Sequence, residues 1–183
     1  NATGNYTVVG TSSNGCTATS TAANVTVISS STILTAQGAT SFCDGNFVQL
    51  QSIFPTGNQW YYNGLPLAGS NAQQYNAYDD GWYHVGVWQN NAWMFSDSIR
   101  VTVFPTPDVP NLNDTSVCKG SSITLNIPFV SGVTYKWYNS LTGGSLLTSG
   151  LSFTSPPLTT MTTYYVEAVN SFSCKSARLD VDI

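Results

Sequence analysis

Three observations predict an all-β chain built from tandem β-sandwich domains. The first is a phrase that recurs. Asp79-Asp80-Gly81-Trp82-Tyr83-His84-Val85 precedes an alternating apolar run, and shorter copies stand at Gly4-Asn5-Tyr6-Thr7-Val8 and Thr162-Thr163-Tyr164-Tyr165-Val166. The three Tyr are roughly 80 residues apart, the size of one sandwich domain. The second is a Trp about a dozen residues after an alternating strand, Trp60 after Leu50 and Trp137 after Leu125. The third is composition. Of the 183 residues, 8% are charged and 13% aromatic, and the polar positions are filled by Ser, Thr, Asn and Gly, which suit strand faces and turns better than helix surfaces. A Tyr that opens strand F and returns its hydroxyl to the backbone, with a Trp buried on strand C, marks the immunoglobulin fold. The domains are therefore expected to be immunoglobulin-like, with Trp60, Tyr83, Trp137 and Tyr164 in their cores.

The elements follow in order. Residues 1–28 read as the end of a first repeat: strand F through Tyr6 and Val8, a Ser12-Ser13-Asn14-Gly15 turn, and strand G through Val25 and Val27. A lone hairpin is marginal in water, so the chain is expected to begin inside a repeat of a longer protein. Residues 29–104 make a full domain. Strand A starts at Ile33-Leu34, Phe42-Cys43-Asp44-Gly45 turns into strand B at Phe47–Leu50, and strand C is Gln59-Trp60-Tyr61. Asn63-Gly64 is a hairpin turn. Strand E runs over Ala72–Ala77, strand F opens at Tyr83, Gln89-Asn90-Asn91 turns, and strand G runs through Ile99, Val101 and Val103. Residues 105–110, rich in Pro, are an extended linker. Residues 111–183 repeat the plan, with Val117-Cys118-Lys119-Gly120 before strand B, Lys136-Trp137-Tyr138 as strand C, strand E flanked by Phe153 and Leu158, strand F at Tyr164 and strand G ending at Ile183. No window carries a 3.6-residue apolar period. The B–F disulfide of antibody domains is absent: Ile127 faces Val166, and Ser52 faces Val85.

Charge excludes several classes of partner. The net charge is −4, and the five Lys and Arg stand singly. Nucleic acid needs a basic patch, and an anionic membrane surface is disfavoured for the same reason. No run of about 18 apolar residues offers a membrane span. His84 is the single His and is expected to face solvent; a catalytic base needs partners that it lacks. Neither a nucleophile elbow nor a phosphate or dinucleotide fingerprint is present. No enzymatic activity, cofactor or membrane insertion is expected.

Phe42-Cys43-Asp44-Gly45, Asn58-Gln59-Trp60-Tyr61-Tyr62-Asn63-Gly64 and Gly81-Trp82-Tyr83 resemble the Ig-like repeats of Bacteroidota surface proteins. The last repeat is similar to a sister subtype, through Lys136-Trp137-Tyr138, Gly143-Gly144, Thr163-Tyr164-Tyr165-Val166-Glu167-Ala168 and Cys174-Lys175-Ser176-Ala177-Arg178. The resemblance covers nearly the whole chain. It implies large exported adhesins, including those of gliding bacteria that use the type IX system, an extracellular, cell-surface or secreted location, and no catalysis. The middle repeat departs from the pattern, with Trp93 where a Cys is expected.

Three groups of residues are candidates for function or bonding. In immunoglobulin topology Cys43 and Cys118 lie at the A–B pole of their domains, and Cys16 and Cys174 just past the F–G turn at the other pole. A strand about 20 Å long separates the poles, too far for a disulfide. Consecutive domains would instead allow Cys43–Cys174 across a junction, with Cys16 and Cys118 paired to further neighbours. Co-occurrence of two Cys in the final repeat supports the alternative, Cys118–Cys174. Trp82, Trp88 and Trp93, with Met94 and Phe95, crowd one hairpin. Trp82 and Trp88 alternate with core residues and should face outward, either to meet a glycan or protein or to pack on a preceding repeat. Asp44, Asp79, Asp80, Asp108 and Asp114, with Asn111 and Asn113, are expected near one pole, where hard oxygens could hold calcium; ordinary turn chemistry explains them equally.

The sequence thus predicts a non-catalytic extracellular stalk or adhesin segment whose partners are neighbouring repeats, surface glycans or other surface proteins. A carbohydrate-binding accessory module of a secreted glycoside hydrolase is the alternative.

Overall fold

The computed structural model describes residues 3–183. They form two compact units. The first takes the chain as far as Thr40 and then Phe47–Val101; the second takes Ser41–Asn46 and Thr102–Ile183.

The first unit opens with a hairpin. β1 (Gly4–Tyr6), β2 (Val9–Thr11), β3 (Thr17–Thr19) and β4 (Ala23–Val25) pair as β1 with β4 and β2 with β3, all antiparallel. Tyr6 is 50% exposed, and no described side chain up to Thr32 is buried. This copy of the phrase therefore reaches no core. α1 (Ser30–Ile33) is a single helical turn where strand A was expected to begin. Thr32 closes it, donating its N–H and its hydroxyl to the Ser29 carbonyl at 3.0 and 2.8 Å. One turn needs no apolar stripe, so periodicity carries no sign of it.

β5 (Leu34–Ala36) follows. The chain then gives β6 (Ser41–Cys43) to the second unit and returns as β7 (Val48–Ser52), β8 (Asn58–Tyr62), β9 (Leu65–Pro66), β10 (Gln74–Ala77), β11 (Gly81–Gln89), β12 (Ala92–Phe95) and β13 (Ile99–Phe104). One sheet orders β10-β7-β5. In the other, β11 pairs with β8, β12 and the first residues of β13, and β8 with β9. Period-two pleating sends Val48, Leu50, Trp60, Tyr83, Val85, Val87 and Val101 inward. Trp60 is fully buried and its Nε1 donates to the Ala72 carbonyl at 2.8 Å. Loss of such a ring costs about 3–5 kcal/mol. The β8–β9 turn places Asn63 at φ 48° and Gly64 at φ 83°, the left-handed pair that an Asn-Gly hairpin supplies. Tyr83 donates its hydroxyl to the Asp79 carbonyl at 3.0 Å, forming the corner.

Two details of the phrase come from packing. A Cβ on Gly81 would lie 2.3 Å from the Tyr62 ring, whose hydroxyl donates to the Asp80 carbonyl at 2.9 Å. The glycine is there for close approach. Strand G, expected through Ile99, Val101 and Val103, is β13, and the return from the Gln89-Asn90-Asn91 turn first forms β12 and breaks at Ser96. Ser96 N–H donates to the Val85 carbonyl at 3.0 Å, and Val85 N–H donates to the Ser96 hydroxyl oxygen at 3.0 Å. A side-chain oxygen thus stands in for a backbone carbonyl and lets the strand step outward. Ser20 makes the same two bonds with Val8, at 2.8 and 3.0 Å. Ser176 makes them with Ala168, both at 2.9 Å.

The second unit contains β14 (Thr124–Asn126), β15 (Val133–Tyr138), β16 (Leu146–Ser149), β17 (Ser152–Thr154), β18 (Thr163–Asn170) and β19 (Leu179–Asp182). β14 pairs with β17, and the other sheet orders β16-β15-β18-β19. Leu125, Ile127, Tyr135, Trp137, Phe153, Tyr164, Val166 and Val181 form the core. The Trp137 ring stacks on Phe153, and Phe153 meets Tyr164 with centroids 4.7 Å apart. Ser41–Cys43, expected as part of a turn, is a strand: β6 runs parallel to Thr102–Phe104 of β13. The turn proper is Cys43–Asn46. Within this unit Cys43 is bonded to Cys174, with Cα atoms 5.5 Å apart. Phe104 stacks on Phe172 at 4.3 Å, and Asn170 Nδ2 donates to the Pro105 carbonyl at 2.7 Å.

Candidate functional site

The outer face of β8, β11 and β12 carries a continuous run of rings. Alternation that buries Trp60, Tyr83, Val85 and Val87 must turn Tyr61, His84, Gly86 and Trp88 outward. Pairing sets Tyr61 beside His84, Gly86 beside Phe95 and Trp88 beside Trp93. Tyr61 stacks on His84 at 4.6 Å and meets Phe95 edge-on at 5.8 Å. Phe95 lies 6.1 Å from Trp93, and Trp93 lies 5.4 Å from Trp88. Gly86 makes the run possible, because a Cβ there would sit 2.8 Å from the Phe95 ring and 3.2 Å from Tyr61. Trp88, Trp93 and Phe95 remain nearly half exposed. Such rings offer broad contact area at small entropic cost.

Trp82 does not join them. It lies six residues from Trp88 along β11, about 20 Å, and its ring faces the Arg100 guanidinium at 6.0 Å. Arg100 in turn pairs with Asp80. His84, expected to face solvent, is partly covered by its stack on Tyr61, and burial lowers its pKa below the usual value. Burial thus favours the neutral imidazole. Phe95, already grouped with the hairpin aromatics, belongs to this face, and so does Tyr61, which alternation along one strand does not reveal. The signal for Tyr61 lies in pairing register, which a single sequence does not carry.

The acidic residues take local roles. Asp44 Oδ1 accepts from Gly45 N–H at 2.9 Å, the Asp79 carbonyl accepts from Tyr83, and Asp114 Oδ1 accepts from Asp182 N–H at 2.9 Å. Among the described residues, no group of three or more His, Cys, Asp or Glu is placed to hold a metal ion. Among the described residues the calcium cluster of Asp44, Asp79, Asp80, Asp108 and Asp114 is therefore not assembled, and Asp80 pairs with Arg100 instead.

In the second unit, the residues of the KWY, GG, E and CKxxR signature converge. Arg178 lies over the Tyr138 ring at 3.5 Å, donates to the Ser140 and Gly143 carbonyls, and meets buried Glu167 at 3.3 Å. Tyr138 donates to Glu167 at 2.9 Å, and Lys175 pairs with Glu167 at 3.4 Å. Burial alone would raise the Glu167 pKa, but the bonds from Tyr138 and Arg178 and the Lys175 charge outweigh it and hold the carboxyl below its usual value. This network ties β15, β18 and the Gly143-Gly144 loop together and is structural.

Among the described residues, no helix is long and apolar enough to cross a membrane. Of solved structures, the ligand-binding domain of human OSCAR is similar over 82% of this chain and 96% of its own, at 18% identity and a TM-score of 0.36. Fibronectin(III)-like modules of Clostridium thermocellum CbhA are similar over 82% and 92%, at 11% identity and a TM-score of 0.36. No curated protein matches the chain. Residues 107–183 match the family model described as an Ig-like domain, CHU_C associated. That match and the strand order make the second unit an immunoglobulin-like domain.

Proposed function

We propose that the chain is a non-catalytic extracellular segment of tandem immunoglobulin-like domains, a stalk or adhesin portion of a large exported surface protein or filament. The observation that carries this reading is recurrence. A serine clip follows each copy of the tyrosine phrase, two residues past Tyr6 and Tyr83 at Val8 and Val85 and four past Tyr164 at Ala168. A clip recurring near each copy of the phrase is what tandem copies of one domain would carry, and it supports the repeat reading. A disulfide fits an oxidising compartment. Export by the type IX route of gliding bacteria rests on the resemblance of the repeats and on the family matched by residues 107–183. Adhesion through many weak contacts needs multivalency. Beads densely coated with the chain should hold to a cell or polysaccharide surface from which the monomer washes away. A monomer that binds as well as the beads, or release of sugar from the polysaccharide, overturns the reading.

The aromatic face supports a second reading, a carbohydrate-binding accessory module of a secreted glycoside hydrolase. Trp88 and Trp93 would stack on sugar rings. On a glycan array, Trp88→Ala should abolish a specific signal under this reading and leave weak bead adhesion largely unchanged under the first.

A further inference from the structure

The outgoing ends of β13 and β19 enter the same kind of ladder. Past its pairs with β11, β13 runs parallel to β6, with Thr102 beside Ser41 and Phe104 beside Cys43. Asp44 N–H closes that ladder on the Phe104 carbonyl at 2.8 Å. Cys43 heads a turn in which Gly45 is left-handed at φ 86° and Asn46 N–H returns to the Cys43 carbonyl at 3.2 Å. Its disulfide partner, Cys174, is carried by the domain that β13 leads into. At the end of β19, Thr115 N–H donates to the Asp182 carbonyl at 3.0 Å, and Asp182 N–H donates to Asp114 Oδ1 at 2.9 Å. Cys118-Lys119-Gly120-Ser121 then repeats the turn, with Gly120 at φ 84° and a closing bond of 2.9 Å.

Register makes the likeness quantitative. Tyr83 pairs with Ile99 and Tyr164 with Val181, so Ile99 and Val181 are equivalent. With Cys43 matched to Cys118, the Asp44–Phe104 bond maps onto Lys119 N–H and the third position past Ile183. The Thr115–Asp182 bond lies four residues earlier on both strands, in the phase that an evenly spaced parallel ladder requires. Beside it opens a cleft of about 270 Å³ lined by Val117, Leu158, Met161 and Ile183. A side chain two positions past Ile183, the place that Val103 holds on β13, would fall there. We propose that residues 117–119 are a seat for the strand leading into a following immunoglobulin-like domain of the same polypeptide, and that Cys118 forms a disulfide with the F–G hairpin cysteine of that domain. An extended segment adds to an exposed edge in this way. Cys118 is exposed with a free thiol. A hairpin cysteine also recurs: Cys16 exchanges bonds of 2.8 and 3.2 Å with Ser12, as Cys174 does with Asn170. In the new bond two thiols lose two protons and two electrons; a small-molecule disulfide accepts them and leaves as two thiols. The inference rests on the tandem-repeat reading above, and not on adhesion.

The test appends residues 102–183 directly after Ile183 of the whole chain, so that the added Thr102, Val103 and Phe104 take the positions past Ile183. In reduced and oxidised glutathione, the original Cys118 should bond the added Cys174 and leave only Cys16 and the added Cys118 as free thiols. The unreduced tryptic digest should link peptide 101–119 to peptide 137–175. The added Cys118 lies on a longer peptide, 179–183 joined to 102–119, which tells the copies apart. A Gly inserted after Ile183 slips the ladder and turns each following side chain to the other face, and should lower the equilibrium yield of the bond roughly tenfold, about what a lost ladder hydrogen bond is worth. Val117→Phe/Lys119→Asp/Ser121→Asn rebuilds the Cys43 turn at this place and checks that the added copy folds. A bond in that variant but not with the native turn overturns the inference. So does a bond in neither, a Cys118–Cys174 bond inside the added copy, or a yield indifferent to the inserted Gly. The bond formed in a chain whose beads hold to no surface upholds the inference and removes adhesion instead.

Discussion

Replacing Tyr83 by Phe isolates the corner bond. The ring is 1% exposed, and its hydroxyl lies 3.0 Å from the Asp79 carbonyl. Phe keeps the ring and removes the donor. Asp79 is exposed, so water can take over its carbonyl, and the loss should fall near the ordinary net value of about 1 kcal/mol rather than the larger cost of a buried orphan. For a domain of this size that lowers the first unit's Tm by roughly 4–8 °C. The pH dependence supplies a second readout. Burial is the main cause that pushes the Tyr83 pKa up to about 12. A group raised in the folded state contributes stability that is intact below its unfolded pKa, about 10 for Tyr, and is lost as pH rises through the folded value. The slope is about 1.4 kcal/mol per pH unit. The wild-type advantage of about 1 kcal/mol should thus close within roughly one unit above pH 10 and then reverse. The assay is urea unfolding followed by Trp fluorescence at pH 8, 10 and 11. An advantage that stays constant across that range would refute the buried corner, as would a Tm unchanged at pH 8.

Three further outcomes follow from the same geometry. Ser96→Ala removes the acceptor of the Val85 N–H at a fully buried residue and should cost about 1–3 kcal/mol, whereas Ser20→Ala on the exposed hairpin should cost almost nothing in the same denaturation assay. Glu167 has a depressed pKa, so its contribution is complete above about pH 4.3 and is lost as pH falls through the lower folded value; Glu167→Gln should flatten that acid limb and, by breaking a buried pair, cost up to about 3–5 kcal/mol at pH 7 in thermal melts. Gly86→Ala should push Phe95 off the aromatic face, since the added Cβ meets that ring at 2.8 Å, and should change the Trp93 emission and reduce any glycan retention while the far-UV spectrum stays unchanged.

Asn63-Gly64, Gln89-Asn90-Asn91, Trp60 and the run Tyr83, Val85, Val87 are legible in the sequence, because turn chemistry and period-two burial are properties of neighbours in the chain. α1 is not legible, since one helical turn has no period. Alternation assigns His84 to solvent because it says which face a residue takes, not what lies across the strand. Trp82 and Trp88 share a face by alternation, yet only Trp88 meets other rings, because β12 pairs only with the far end of β11.

Local pattern therefore determined the all-β immunoglobulin-like class, the turns and the inward-facing residues. The tertiary structure decided the exchange of Ser41–Asn46 into the second unit, the break of strand G at Ser96, the aromatic face and the Glu167 network. Each depends on which strands lie side by side. Arg178 reaches Gly143 and Glu167 through register alone, and register is set by packing between segments that the sequence holds far apart.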